Sequence, residues 1–308
     1  MSAQEFFSYK AKAEASAGIS GKKKCDACLA GMLLFSREFS ENGVLLQTEN
    51  RDTKELFVRL ANYAANAEAV TVRKRERSGK PPLYLIKIKS PEHIDIILKR
   101  LKIAFNGGER SIDAVPPLSD KNLGAFAAGI FLSCGSVVTP DKGYHLEFVV
   151  PTERLCRDLC ALFTDRLGVS GKIITRRSAC VLYFKESEHI EDILTLIGAQ
   201  KSSLELMNVK ILRDIRNHAN RATNCDTANC GRQNRSALRQ IEAIRRIQSS
   251  DGGLSRLPDE LKELAEIRLR NPEMSLSELC GQFTPPLSRS GVNHRFARIE
   301  RIAEETGE

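Results

Sequence analysis

The sequence predicts an α+β protein: a duplicated αββαββα domain over residues 1–202, a basic helical connector over 203–252, and an all-α module over 253–308. Three observations point there. Short segments recur in the same order about 97 residues apart, each copy alternates helical with strand-like apolar spacing, and the final stretch is punctuated as three short helices.

Leu29-Ala30-Gly31-Met32-Leu33 is answered by Ala127-Ala128-Gly129-Ile130-Phe131. Thr53-Lys54-Glu55-Leu56 is answered by Thr152-Glu153-Arg154-Leu155, and the run from Ser90 to Leu98 by that from Ser187 to Leu194. Copy one spans about 20–105 and copy two about 120–199. In each, a helix of small residues leads into two strands, near Glu38–Phe39 with Val44–Thr48 and near Ser136–Val138 with His145–Val150. An amphipathic helix follows, Thr53–Asn66 in one and Thr152–Leu167 in the other. Two more strands come next, Val70–Arg75 with Leu83–Lys89 and Lys172–Arg177 with Ala179–Phe184. Pro91–Ile103 and Glu188–Ile197 close the copies as helices. The Ala-Gly pairs lack bulky side chains, so the two leading helices can approach closer than the usual 8–10 Å and pack as twins about a pseudo-two-fold axis.

The connector reads as helix over Ser203–Asn217, where Leu204, Met207, Ile211 and Ile215 recur at helical spacing, and again over Gln233–Ser249. Between them, Asn220 to Arg235 is rich in Asn, Arg, Thr and Cys and is expected to be irregular. Asp251-Gly252-Gly253 is expected to end the second helix and let the C-terminal module pivot. From Asn208 to Arg246 nine Lys/Arg stand against three acids. Asn220, Arg221, Arg232 and Arg235 suit phosphate and base-edge contacts; a capped loop with a solvated basic face is the alternative.

In the module, Leu261, Leu264, Ala265 and Leu269 share one helical face, and Asn271-Pro272 stops that helix. Ser275 and Glu278 form a capping box for a second helix. Thr284-Pro285-Pro286 forces a turn, and a third helix starting near Ser288, with Ser288–Arg301 as its recognition face, buries Val292, Phe296, Ile299 and Ala303 at spacings of four, three and four. The face opposite carries Ser290, His294, Ala297, Arg298 and Arg301, flanked by Arg289, Asn293 and Arg295, with Ser288 at the start of the helix. Small polar groups and basic ends opposite apolar anchors suit a recognition helix in a major groove, Arg facing guanine, Asn facing adenine, outer Arg on phosphates. Arg298 is expected to read bases and Arg301 to hold phosphate.

Of the 308 residues, 42% are hydrophobic and 28% charged, which are globular values, and the net charge of +8 favours a polyanionic partner. No apolar run approaches a membrane span, and the first residues lack a signal-peptide core. Nine cysteines fit reduced thiols in a cytoplasm. Cys225, Cys230 and His218 lack the second tight pair that a zinc site needs, as do Cys25 and Cys28. His93 and His189 occupy equivalent places in the repeat, which suits a structural role. Arg73-Lys74-Arg75-Glu76-Arg77 with Lys80 makes a basic hairpin that is either a DNA surface or an exposed turn.

The twinned Ala-Gly helices resemble the LAGLIDADG homing-endonuclease fold, whose motif helices meet at a seam and end in metal-binding acids. Here Ser36 and Cys134 stand at those ends, preceded by Leu34 and Leu132. Hydrolysis of a phosphodiester with Mg²⁺ needs hard oxygen ligands at the seam. Glu38 and Glu41 lie near it in one copy alone, so no catalytic or metal-binding residue and no cofactor is assigned. The whole arrangement resembles the WhiA family of bacterial transcription regulators. The resemblance rests on Asn217-His218-Ala219-Asn220-Arg221, Asn224 to Asn229, Gln240 to Ile244, Leu257-Pro258, Leu269 to Glu273 and Ser288 to Arg295. It implies sequence-specific binding of double-stranded promoter DNA, a link to sporulation or cell division, and no nuclease chemistry. A second transcription factor or RNA polymerase is a further expected partner, no membrane is, and the expected location is cytoplasmic and nucleoid-associated. The alternatives are a homing endonuclease, a sequence-independent chromosome-organising protein, and a regulator whose seam binds a small molecule.

Overall fold

The computed structural model describes residues 3–104, 110–176 and 179–305, with side chains from residue 7 onward. Arg177, the expected end of one strand, and residue 105, the expected end of copy one, lie outside the described residues. The chain divides into two compact units, Met1–Arg213 and Asp214–Glu308.

The first unit opens with a helix the repeat does not predict, α1 (Ala3–Ala17). Phe7, Ala11 and Ala15 recur every fourth residue on it, and all three are buried. Copy one follows as α2 (Lys22–Leu34), β1 (Glu38–Ser40), β2 (Gly43–Thr48), α3 (Arg51–Ala65), β3 (Val70–Arg77), β4 (Lys80–Ile88) and α4 (Pro91–Leu101). Copy two is α5 (Asp120–Cys134), β5 (Gly135–Val137), β6 (Leu146–Val150), α6 (Glu153–Leu167), β7 (Lys172–Arg176), β8 (Ala179–Phe184) and α7 (Ser187–Leu196). Both copies are thus αββαββα, in the order the repeat predicts. Each forms an antiparallel four-stranded sheet, β1-β2-β4-β3 and β5-β6-β8-β7.

Local chemistry sets the helix bounds. The Asn50 and Thr152 side chains accept from Thr53 N and Leu155 N, capping α3 and α6 alike. Ser90 caps α4 ahead of Pro91, whose missing N–H costs nothing in the first turn. Leu46 pairs with Ile86 and Phe148 with Leu182, so each sheet turns buried residues from adjacent strands to its helices.

The helices α2 and α5 form the seam. A Cβ at Gly129 would stand 2.1 Å from the Cys28 carbonyl oxygen, and one at Gly31 would stand 2.4 Å from that of Phe126. The backbones therefore touch where the Ala-Gly pairs predict a close approach.

The connector departs from expectation. It is one uninterrupted helix, α8 (Gln200–Gln248), with no irregular stretch over Asn220–Arg235. In the first unit its start is capped by Glu14 of α1, whose carboxylate accepts from Lys201 N at 2.9 Å and Ser202 N at 3.2 Å. Leu206, Ser202 and Ser203 are the buried residues there, whereas Leu204, Ile211 and Leu212 are more than half exposed.

The second unit contains the rest of α8 and the helices α9 (Asp259–Arg270), α10 (Leu276–Cys280) and α11 (Arg289–Glu305). The expected pivot is instead a turn inside this unit. Gly252 and Gly253 take φ of 84° and 53°, left-handed values that glycine adopts without steric cost. Ile244 and Ile247 before the turn share one core with Leu257, Leu261 and Leu264 after it.

Candidate nucleic-acid interface

The second unit presents α11 through a small core. Val292, Phe296, Ile299 and Ala303 are buried on one side, at spacings of four, three and four as the sequence predicts. The capping box of α10 is formed: Ser275 accepts from Glu278 N, and the Glu278 carboxylate accepts from Ser275 N at 2.7 Å, which holds that carboxyl below its ordinary range. Arg268, not anticipated as a structural residue, is 1% exposed at the centre. Its guanidinium donates to the Met274 carbonyl at 2.6 Å and lies 5.5 Å from the Phe296 ring centroid, tying the segment before α10 to α11. Desolvation pulls its pKa down. The signal was present, since Arg268 continues the Leu261, Leu264, Ala265 face by one more helical step.

The 17 residues of α11, a little under five turns, decide which groups face outward. Ser288 caps α11, its hydroxyl accepting from Gly291 N at 3.1 Å. Arg289, Ser290, Asn293, His294 and Arg301 are exposed. Arg298 differs from expectation, and Arg295, expected on the flank, shares its partner. Arg298 donates to the Glu260 carboxylate at 2.7 Å, and Arg295 pairs with the same carboxylate at 3.4 Å while stacking 5.6 Å from the Phe283 ring. Both sit on the flank toward α9, so Glu260 occupies the guanidinium on which base reading was expected to rest. The outward ridge is Ser290, Asn293, His294 and Arg301, with Arg289 at its start.

Along α8, every residue from Asp214 to Cys230 is exposed. At 100° per residue, Arg221, Arg232, Arg235 and Arg239 fall within about 60° of one another, and all four are exposed. Asn220 lies beside that stripe. Arg232 donates to the Asn229 side chain at 2.7 Å, and Arg235 to the Gly231 carbonyl at 3.2 Å, contacts within the helix that leave the stripe on the surface. A run that is polar on all faces and rich in Asn and Thr has weak helix propensity and no packing of its own. That composition is what made the stretch read as irregular.

At the seam, the Ser36 hydroxyl lies 2.7 and 2.8 Å from the Leu33 and Glu38 carbonyl oxygens, with one hydrogen to donate between them, and the Cys134 thiol donates to the Ile130 carbonyl at 3.4 Å. Cations cap these helix ends. Arg110 donates to the Ser36 carbonyl at 2.7 Å, and Lys12 of α1 to the Leu132 carbonyl at 3.5 Å. Among the described residues no group of His, Cys, Asp and Glu converges as a metal site. In the basic hairpin, Arg73 and Arg75 are exposed, Lys74 pairs with Glu76 at 2.6 Å and Arg77 with Glu49 at 2.7 Å.

Two family models match: the WhiA LAGLIDADG-like domain over residues 123–216 and the WhiA C-terminal HTH domain over residues 219–303. The chain is 38% identical over 287 residues to a "probable cell division protein WhiA" of Clostridium tetani, covering 90% of this chain and 88% of that one. The corresponding protein of Clostridium novyi is 38% identical over 298 residues, with coverage of 95% and 92%. The chain belongs to the WhiA family. The crystal structure of full-length WhiA from Thermatoga maritima superposes with a TM-score of 0.59 at 25% identity, covering 98% of this chain and 99% of that one. An N-terminal LAGLIDADG domain of WhiA gives a TM-score of 0.50 over 62% of this chain and 90% of that one, at 19% identity. The WhiA HTH match begins inside α8 and ends in α11, so the exposed arginine stripe and the outward ridge lie within it. No helix among the described residues is long and apolar enough to cross a membrane.

Proposed function

We propose that this WhiA-family protein is a sequence-specific, double-stranded-DNA-binding transcription regulator, nucleoid-associated in the cytoplasm and linked to sporulation or cell division. The observation that carries the proposal is the outward ridge of α11, Ser290, Asn293, His294 and Arg301, presented on a helix anchored by Val292, Phe296 and Ile299. Asn293 and His294 suit base edges in a major groove, and Ser288, Arg289 and Arg301 suit the flanking phosphates. Arg295 and Arg298 join the contact when phosphate displaces Glu260. The α8 stripe from Arg221 to Arg239 spans about 27 Å at 1.5 Å per residue, close to one turn of duplex, and its arginines with Asn220 suit successive phosphates.

The protein binds DNA without cutting it. A homing endonuclease holds Mg²⁺ with oxygen ligands, and here a hydroxyl turned to backbone, a thiol and two cation-capped helix ends stand at the seam. The exposed Leu204, Ile211 and Leu212 of α8 offer an apolar surface to a second transcription factor or RNA polymerase. Sequencing the DNA that co-purifies with the protein from its own cells is the deciding experiment. A shared motif near promoters is the expected result. Fragments scattered without a motif would make it a chromosome-organising protein, and Mg²⁺-dependent cleavage of duplex DNA would make it a nuclease.

A further inference from the structure

At the ends of α2 and α5 the first unit encloses a cleft of about 1020 Å³, walled by both sheets and floored by α1. That volume lies at the upper end of small-molecule sites and far exceeds what a bare ion needs. Among the described residues three charged side chains line it: Lys12, Arg37 and Glu49. Glu49 is taken by Arg77 at 2.7 Å. Arg37, at the exposed rim, donates to the neutral Gln47 amide at 2.7 Å. Lys12 reaches the Leu132 carbonyl at 3.5 Å and lies 5.7 Å from the Phe131 ring centroid. Among the described residues, neither cation has a carboxylate within ion-pair distance.

An ammonium has three donors to satisfy, and Lys12 has one long hydrogen bond for them. Desolvation pulls its pKa down to about 8, with the Cys134 thiol and Glu49 opposing that fall. At neutral pH it is therefore still mainly a cation, partly buried in the cleft floor and with donors to spare. A monoanion would satisfy one of the two cations, whereas a phosphomonoester carries close to two charges at pH 7 and three acceptor oxygens. Leu83, Val149 and Pro151 supply apolar wall beside the charged floor.

We propose that this cleft binds a small organic phosphate, with Lys12 and Arg37 receiving the phosphate and Leu83 and Val149 facing its body. The site lies wholly in the first unit, so it stands or falls independently of DNA binding by α11. A compact point charge on the floor and a planar fork at the rim are the two common ways a protein meets phosphate. Binding is expected to be linked to protonation of Lys12. Affinity is greatest near pH 7, falls below about pH 6 as the phosphate takes up its second proton, and declines as pH rises through the free-state pKa of about 8, because the deprotonated amine no longer offers a charge.

The test is calorimetric titration of the full-length protein at low salt with AMP, glucose 6-phosphate and inorganic phosphate, with adenosine as the uncharged control. At least one of the two phosphate esters is expected to bind more tightly than inorganic phosphate, and AMP to bind more tightly than adenosine. Lys12→Met and Arg37→Gln are each expected to weaken binding about tenfold, the loss of one charge-assisted contact. In the wild type, affinity is expected to fall between pH 7 and pH 9, and in Lys12→Met to stay level. Absence of binding by all three phosphates at millimolar concentration would overturn the proposal, as would equal affinity in wild type and both variants. Arg37→Gln decides the matter at the exposed rim if Lys12→Met fails to fold. Should duplex DNA alone respond to these substitutions, the cleft is part of the DNA surface and the small-molecule site is refuted.

Discussion

Glu260 holds two of the four arginines of α11, Arg298 at 2.7 Å and Arg295 at 3.4 Å. Because the carboxylate is nearly half exposed, solvent screening limits what these pairs add to stability. Glu260→Gln is therefore expected to change unfolding free energy by less than about 1 kcal/mol while raising DNA affinity, since an acid is removed and two cations are released. Chemical denaturation and fluorescence anisotropy check the two halves. On the outward ridge, Asn293→Ala is expected to relax sequence preference. Arg301→Ala is expected to weaken all duplexes alike and lower the salt slope by about one. Binding measured on cognate and scrambled duplexes across a salt series separates them. The spacing from Val292 placed Ser290, His294 and Arg301 outward, and the structure agrees. What it could not give was the occupant of Arg298, because Glu260 comes from another helix and local periodicity says nothing of partners across a core.

At the scale of elements, the seam depends on two glycines. A methyl at Gly129 would lie 2.1 Å from a backbone oxygen that has no rotamer to yield, so Gly129→Ala is expected to destabilise the first unit by about 3 kcal/mol, read from its denaturation midpoint. The internal repeat made this pairing legible, since two Ala-Gly helices in matched positions had only each other to approach. The face of α1 is hard to read from the sequence although Phe7, Ala11 and Ala15 mark it, because two of the three are alanines and make a weak apolar stripe. The centre of α8 was misread for the opposite reason: Asn220 to Arg235 carries turn-prone residues, yet the ends of the helix are fixed in two cores and propagation between them costs little. Those central turns bury nothing. Amide hydrogen exchange over Asp214–Cys230 is expected to be fast in the free protein and slowed by DNA, measured by mass spectrometry with and without duplex.

At the scale of the molecule, two hydrophobic cores are built from separate residues, one around Phe126, Phe131 and Phe148 and the other around Phe296. Truncation in one should leave the other standing. Phe296→Ala is expected to cost the second unit about 3–5 kcal/mol and abolish DNA binding, while the calorimetric transition of the first unit keeps its midpoint. A single shifted transition would contradict that independence. The division of labour was readable in outline, from a repeat that ends and a helical module that begins. The continuity of α8 into the second core was not, since it needed Leu257 and Leu261 to fold back beside Ile244. One feature breaks the symmetry of the duplication. The helix α1 precedes the first copy, and no equivalent helix precedes α5 among the described residues, so Lys12 serves the end of α5 while Arg110, from the linking strand of chain, serves the end of α2. The two halves are therefore inequivalent where they meet, and whatever settles there finds a lysine at one helix end and an arginine at the other.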